Sequence, residues 1–135
     1  MSEDSDFTKL QWKQSEKKWR KAIGLAKKRI CFDDITGWDS LKIVERCGYC
    51  GIFYCPDSLD SKGKKNICPL FSEKMCSNNY EGNKTAFARF VHTMVDIKHH
   101  RLDKETLAID WTSALKEAMA ILSAIMEDGK KRGFC

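Results

Sequence analysis

Residues 104–128 read KETLAIDWTSALKEAMAILSAIMED, and the apolar side chains of this stretch recur at the spacing of one helix face. A period of this kind, kept over several turns, predicts a long amphipathic helix rather than a strand. Asp103 before it is a good N-cap residue, and Gly129 after it is a good C′ residue. We therefore predict one long helix whose apolar stripe consists of Leu107, Trp111, Ala114, Leu115, Ala118, Leu122, Ile125 and Met126.

A second helical stretch directly precedes this one. Residues 83–101 read NKTAFARFVHTMVDIKHHR, and one face of the resulting helix holds Phe87, Phe90, Val91, Met94 and Val95. Residues 83–128 are therefore predicted to form a helical hairpin. The broad apolar coverage of residues 118–126 has two interpretations, a buried core face or the interface of a homodimer, so the chain is expected to be a monomer or a homodimer.

Positive charge is concentrated in one segment of the 135-residue chain. The net charge is +5, but residues 7–30 hold nine bases and one acid, whereas residues 31–135 hold 15 of each. On a helix, Trp12, Trp19 and four aliphatic residues fall within one arc, and the bases fall on the opposite side. Residues 7–30 are therefore predicted to form a basic amphipathic helix, whose charged face holds Lys9, Lys13, Lys17, Arg20, Lys21, Lys27 and Lys28.

The basic helix has three interpretations. It is a surface helix whose tryptophans pack on the core, a surface for phosphates or an acidic partner protein, or a helix that lies on a membrane surface. Charge alone does not discriminate among them.

Together these segments predict a mainly α fold in a single domain, residues 1–135. Three long helices and one short helix, at residues 38–46 (WDSLKIVER), form a small bundle. Residues 38–82 are Cys-rich, and we expect them to form a zinc-knuckle loop module inserted into the bundle. A bundle of this size buries a modest core, so a bound metal ion is expected to add to its stability.

Seven cysteines in a chain without an export signal favour metal binding over a disulfide scaffold. Cys47 and Cys50 are separated by two residues and followed by Gly51, which is the pattern of a zinc knuckle. Two thiolates at this spacing grip one ion from a tight turn, and the glycine lets the backbone turn toward the sulfur atoms. A redox C-x-x-C is the alternative, but it needs a strand before it and a βαβ context.

Tetrahedral zinc needs two more ligands, and our first choice completes a site of four thiolates from Cys47, Cys50, Cys68 and Cys76. Cys55 is a substitute for one of the last two, and His92, His99 and His100 are weaker candidates because they fall on a predicted helix. A closed site of this kind has no open coordination position, so the zinc is expected to be structural and not catalytic.

Catalytic and membrane signatures are missing from the sequence. It contains no phosphate-binding glycine loop, no metalloprotease or serine-hydrolase motif, and no deaminase pairing of H-x-E with C-x-x-C. It also contains no apolar stretch long enough to cross a bilayer and no secretory signal. We therefore expect a protein that does not span a membrane, works in the reducing cytoplasm and is not an enzyme, with a hidden hydrolase or nuclease as the alternative.

The Cys-rich segment follows a pattern that begins with Trp38 and ends with Tyr80. Between them lie Cys47-Gly48-Tyr49-Cys50, Cys68-Pro69-Leu70 and Cys76. In this pattern the chain resembles a group of small Cys-rich zinc-knuckle proteins encoded by viruses and mobile elements. The resemblance covers residues 38–100 and leaves out the basic helix. It implies the metal ligands named above and says nothing about a substrate.

Two functional hypotheses follow from these features. The first is a zinc-stabilised viral or mobile-element protein that acts by protein–protein contact, for example as an inhibitor of a host defence complex such as an anti-CRISPR protein. The alternative is a nucleic-acid-binding module or small transcriptional regulator that uses residues 9–29. Charge reversal at Lys13, Lys17, Arg20 and Lys21 discriminates partly between them. It should abolish nucleic-acid binding under the second hypothesis, whereas under the first it matters only if the partner surface is acidic.

Overall fold

The computed structural model describes residues 7–29, 49, 68–72, 74–76, 85–99 and 104–134. These residues contain no strand and form four helices: α1 (Lys9–Lys27), α2 (Pro69–Ser72), α3 (Ala86–His99) and α4 (Lys104–Arg132). The predicted mainly helical class and the three long helices are confirmed. The short helix predicted at residues 38–46 and most of the Cys-rich module lie outside the described residues.

Helix α4 is the centre of the bundle, and α1 and α3 both pack against it. The start of α1 meets the end of α4, where the Trp12 indole Nε1–H donates a hydrogen bond to the Ile125 carbonyl at 2.8 Å. α3 and α4 are consecutive helices joined by residues 100–103, and they run antiparallel, with Arg89 paired to Glu117 at 3.0 Å. Since α1 and α3 each run antiparallel to α4, they run parallel to each other.

Trp19 links the two outer helices across the core. Its ring meets Phe87 and Phe90 of α3 edge-on, with ring centroids 6.0 and 5.5 Å apart. Edge-to-face contact of this kind is favourable beyond the area that it buries. A single large side chain on α1 therefore closes the space between helices whose backbones do not approach each other closely.

The buried positions of all three long helices follow one spacing rule, in which steps of three and four residues alternate. This average period of 3.5 residues is the pattern of helices that pack at a shallow crossing angle, as in coiled coils and bundles. The buried residues that follow the rule are Trp12, Ser15, Trp19, Ala22 and Ala26 in α1, Phe87, Phe90, Met94 and Ile97 in α3, and Trp111, Ala114, Ala118, Ile121 and Ile125 in α4.

This spacing corrects two of the predicted stripes. Val95 was placed in the core of α3 but is 41% exposed, whereas Ile97 is fully buried. In α4, Ile121 is fully buried although the predicted stripe omitted it, and Leu115 and Leu122 are only half-buried. The placement of Val95 was wrong because it continued the four-residue steps from Phe87 and Val91, which drift away from a seam that repeats every 3.5 residues. Leu115 and Leu122 do pack against the buried core, as predicted.

The end of α4 also differs from the prediction that Gly129 stops the helix. The helix continues to Arg132, and Gly133 takes the left-handed C′ conformation with φ +78°. The Phe134 amide N–H then donates to the Gly129 carbonyl at 2.8 Å, as in a Schellman motif. Gly129 is instead a buried helical residue that faces the Trp12 ring.

Candidate functional site

Tyr49, the described residue of the predicted zinc knuckle, packs at the end of α4. This residue lies between Cys47 and Cys50 in the sequence and is fully buried. Its ring centroid is 4.4 Å from that of Phe7, and its hydroxyl donates a hydrogen bond to Asp128 Oδ2 at 2.6 Å. Contacts on both the ring and the hydroxyl fix the position and the orientation of the side chain.

Asp128 is the common acceptor of a small network at this end of the molecule. The same Oδ2 atom accepts a hydrogen bond from Arg132 Nε at 2.8 Å. The guanidinium of Arg132 lies 4.9 Å from the centre of the Phe7 ring, within range of a cation–π contact. Phe7, Tyr49, Asp128 and Arg132 therefore form a closed ring of contacts, which we call the α4 clamp.

The second half of the predicted metal module is held by other parts of the bundle. Cys68 is buried immediately before Pro69, the first residue of α2, where a proline fits because its position needs no N–H. The carbonyls of Lys74 and Met75 accept hydrogen bonds at 3.0 and 2.8 Å from the first two amides of α3. The backbone that leads to Cys76 thus caps a helix and is held in place by it.

Tyr49 and α2 lie against the same end of α4. A cleft of about 490 Å³ separates α2 from α4, with Pro69, Leu70 and Met75 on one side and Ala120, Ala124 and Asp128 on the other. Asp128 is also the residue that holds Tyr49. The residue inside the first Cys pair and the segment that carries the last two cysteines are therefore positioned by one stretch of α4.

Two of the predicted ligands are described, and they differ in exposure. Cys68 is 4% exposed and Cys76 is half-buried. Cys47, Cys50 and Cys55 lie outside the described residues, as does the side chain of His99 and all of His100. Within the described part of the chain, no three His, Cys, Asp or Glu residues form a group able to hold a metal ion.

The Tyr49 hydroxyl is expected to contribute measurably to stability. In Tyr49→Phe the ring contact with Phe7 is kept, while the charge-assisted hydrogen bond to Asp128 is lost, so the free energy of unfolding should fall by about 2 kcal/mol. Urea unfolding followed by far-UV circular dichroism measures the change. The matched variant is Thr112→Val, which removes an exposed hydroxyl that bonds only within its own helix. Equal stabilities of the two variants would contradict the anchoring role of Tyr49.

The structure confirms the amphipathic division of α1. Trp12 and Trp19 are each 2% exposed and lie in the core. The tryptophan stripe therefore packs on the bundle, and what the basic face contacts stays a prediction. The predicted binding residues, Lys9, Lys13, Lys17, Arg20, Lys21, Lys27 and Lys28, are all exposed.

Among the residues that the structure describes, the cations of this face have few acidic neighbours. Arg20 pairs with Glu16 at 3.1 Å, and its guanidinium also contacts the Met126 sulfur at 3.6 Å. The six lysines of the face form no ion pair with any residue that the structure describes. Glu16, on the same helix, is the only acid in α1, so the helix itself carries a large excess of positive charge.

Two contacts that sequence reasoning missed are Tyr49 with Asp128 and Trp12 with Gly129. The residues of the first pair are 79 positions apart and those of the second are 117 apart, so no local period could connect them. The sequence did contain one signal for Gly129, which lies on the buried face of α4, four residues after Ile125. A residue without a side chain at such a position leaves room for a large side chain from another helix.

None of the helices in the described ranges is both long and apolar enough to cross a bilayer. Comparison of the chain with protein-family models, with curated proteins and with solved structures finds no match.

Proposed function

We propose that this chain is a non-enzymatic binding protein that uses the basic face of α1 to bind nucleic acid. The observation that carries the proposal is the arrangement of α1, whose apolar side is committed to the core while its cations point outward. A helix that only had to cover the core would not need seven bases on its exposed side and a single acid beside them. The protein–protein hypothesis uses the same face only if the partner surface is acidic.

The spacing of the lysines strengthens the electrostatic argument. Lys13, Lys17 and Lys21 are separated by four residues, which corresponds to about 6 Å along the helix. This distance is shorter than the screening length of about 8 Å at physiological salt, so their fields add. A polyanion that meets the row releases its condensed counterions, which drives binding and makes it salt-dependent.

A structural zinc ion belongs to the proposal. Its support is that Tyr49, which precedes Cys50 in the sequence, and Pro69 and Met75, which adjoin Cys68 and Cys76, lie at the same end of α4. Cys thiolates are the ligands that structural zinc prefers. Bound zinc would supply folding free energy and hold the Cys-rich segment on the bundle, while the basic face of α1 makes the contact with nucleic acid.

The binding test compares two variants that each lose three positive charges from a net charge of +5. In the first, Lys13, Lys17 and Lys21 are changed to Gln; in the control, the exposed Lys74, Lys116 and Lys131 are changed to Gln. We expect the first variant to bind a labelled DNA duplex about tenfold or more weakly at physiological salt, with a salt slope lower by about 3. Fluorescence polarisation at a series of salt concentrations measures both quantities.

The control variant distinguishes an effect of the α1 face from a general effect of net charge on binding. Equal losses in the two variants would contradict a role for the α1 face, because net charge alone would then explain binding. If the wild-type protein bound no nucleic acid at physiological salt, the proposal would be wrong and the protein–protein hypothesis would be preferred.

A further inference from the structure

We infer that the basic face of α1 binds the phosphate backbone of a duplex and does not read its base sequence. The inference rests on the proposed function and adds the form of nucleic acid and the mode of recognition. It is carried by two observations, the composition of the exposed face and the position of the two tryptophans.

The exposed face offers phosphate contacts in a straight row. Lys13, Lys17, Lys21 and Lys28 fall within an arc of about 80° on the helix and span about 22 Å along its axis. A rigid row of cations matches a phosphate backbone that a duplex holds at regular intervals. A flexible single strand must instead be ordered along the row, which costs conformational entropy.

The tryptophans argue against a single strand. Proteins that bind single strands present exposed aromatic rings on which successive bases stack. The two aromatic residues of α1, Trp12 and Trp19, face the core, where Trp12 is bonded to Ile125 and Trp19 packs on α3. The basic face therefore provides charge without a stacking platform.

This face also offers few side chains suited to hydrogen bonding with the edges of bases. Arg, Asn and Gln specify bases through paired hydrogen bonds, and Lys can also contact guanine. Arg20 is engaged with Glu16, and Gln14 lies at the edge of the lysine row. The row itself consists of lysines, which act as point charges on phosphates.

The first experiment measures binding of three probes at equal salt: a GC-rich duplex, an AT-rich duplex and a single strand. Each has about 20 nucleotides per strand, longer than the roughly eight base pairs that a helix of 19 residues spans. We expect the two duplexes to bind with affinities within about twofold, and the single strand to bind at least about fivefold more weakly. A single strand that binds as tightly, or a tenfold preference for one duplex, overturns this inference but not the proposed function. Absence of binding to every probe overturns both.

A second experiment adds a charge to the row and leaves the core untouched. Leu10 is 64% exposed and lies on the same side of α1 as Lys13, Lys17 and Lys21, so Leu10→Lys extends the row. Met119, on α4, is 51% exposed, and Met119→Lys is the matched control with the same change in charge. We expect Leu10→Lys to tighten duplex binding and to raise the salt slope by about 0.9, with a smaller effect for Met119→Lys. Equal effects of the two substitutions overturn the assignment of the duplex to this row.

Discussion

Replacing Gly129 with Ala is expected to destabilise the folded protein by about 3 kcal/mol or more. A Cβ atom at this position would lie 2.5 Å from Trp12 Nε1 and 2.5 Å from Trp12 Cζ2, well inside van der Waals contact. The indole is a rigid ring that is buried and bonded to the Ile125 carbonyl, so it cannot move aside without losing its hydrogen bond. Urea unfolding followed by far-UV circular dichroism measures the change in free energy of unfolding.

Gly24 provides the matched control, because it is also a glycine inside a helix. Apart from its chain neighbours and the backbone of its own helix, no described residue has a heavy atom within 4 Å of a Cβ built on Gly24. Alanine is a better helix former than glycine by about 1 kcal/mol, so Gly24→Ala should stabilise the protein. The same substitution is therefore expected to act with opposite sign at the two sites. A Gly129→Ala protein as stable as Gly24→Ala would show that Trp12 does not occupy the place assigned to it.

Removal of zinc is expected to have the largest effect on stability. Structural zinc sites in small domains contribute on the order of 10 kcal/mol of apparent binding free energy, which exceeds the stability of many small domains. We expect the protein purified without added metal to carry a single zinc ion and to lose helicity when a strong chelator removes the ion. Native mass spectrometry beside a denatured control measures the metal, and circular dichroism measures the helicity.

Two cysteine variants test which thiols hold the ion. Cys68→Ser should abolish zinc retention, whereas Cys135→Ser should leave it intact, because Cys135 is not among the predicted ligands. A protein that carries no metal and contains a Cys47–Cys50 disulfide would refute the zinc site and favour redox chemistry. Zinc retained in Cys68→Ser would instead point to Cys55 as a ligand.

Helix type and the division of charge could be predicted from the sequence because both are local. A helical period needs only neighbours three and four residues apart, so α1, α3 and α4 were visible without knowledge of their partners. The buried face was predicted less accurately, as Val95 and Ile97 show. Which side of α3 is buried is decided by where α4 and Trp19 lie, and this information is not contained in the period of α3 itself.

One part of the candidate site could be predicted from the sequence, and another part could not. The basic face follows from the positions of lysines on one helix, and the structure confirms that these side chains are exposed. The α4 clamp could not be predicted, because it joins Phe7, Tyr49 and Asp128 from distant parts of the chain. The ligands Cys47 and Cys50 stay a prediction, and Tyr49 between them is the described residue that ties this pair to the bundle.

The hydrogen bond between Trp12 and Ile125 also has a consequence during biosynthesis. The two residues are 113 positions apart, and synthesis proceeds at about 5–20 residues per second. Trp12 therefore emerges from the ribosome roughly 6–23 seconds before the part of α4 on which it packs. Throughout that interval Trp12 lacks its acceptor and its packing surface on α4, so the docking of the start of α1 is a late step of folding.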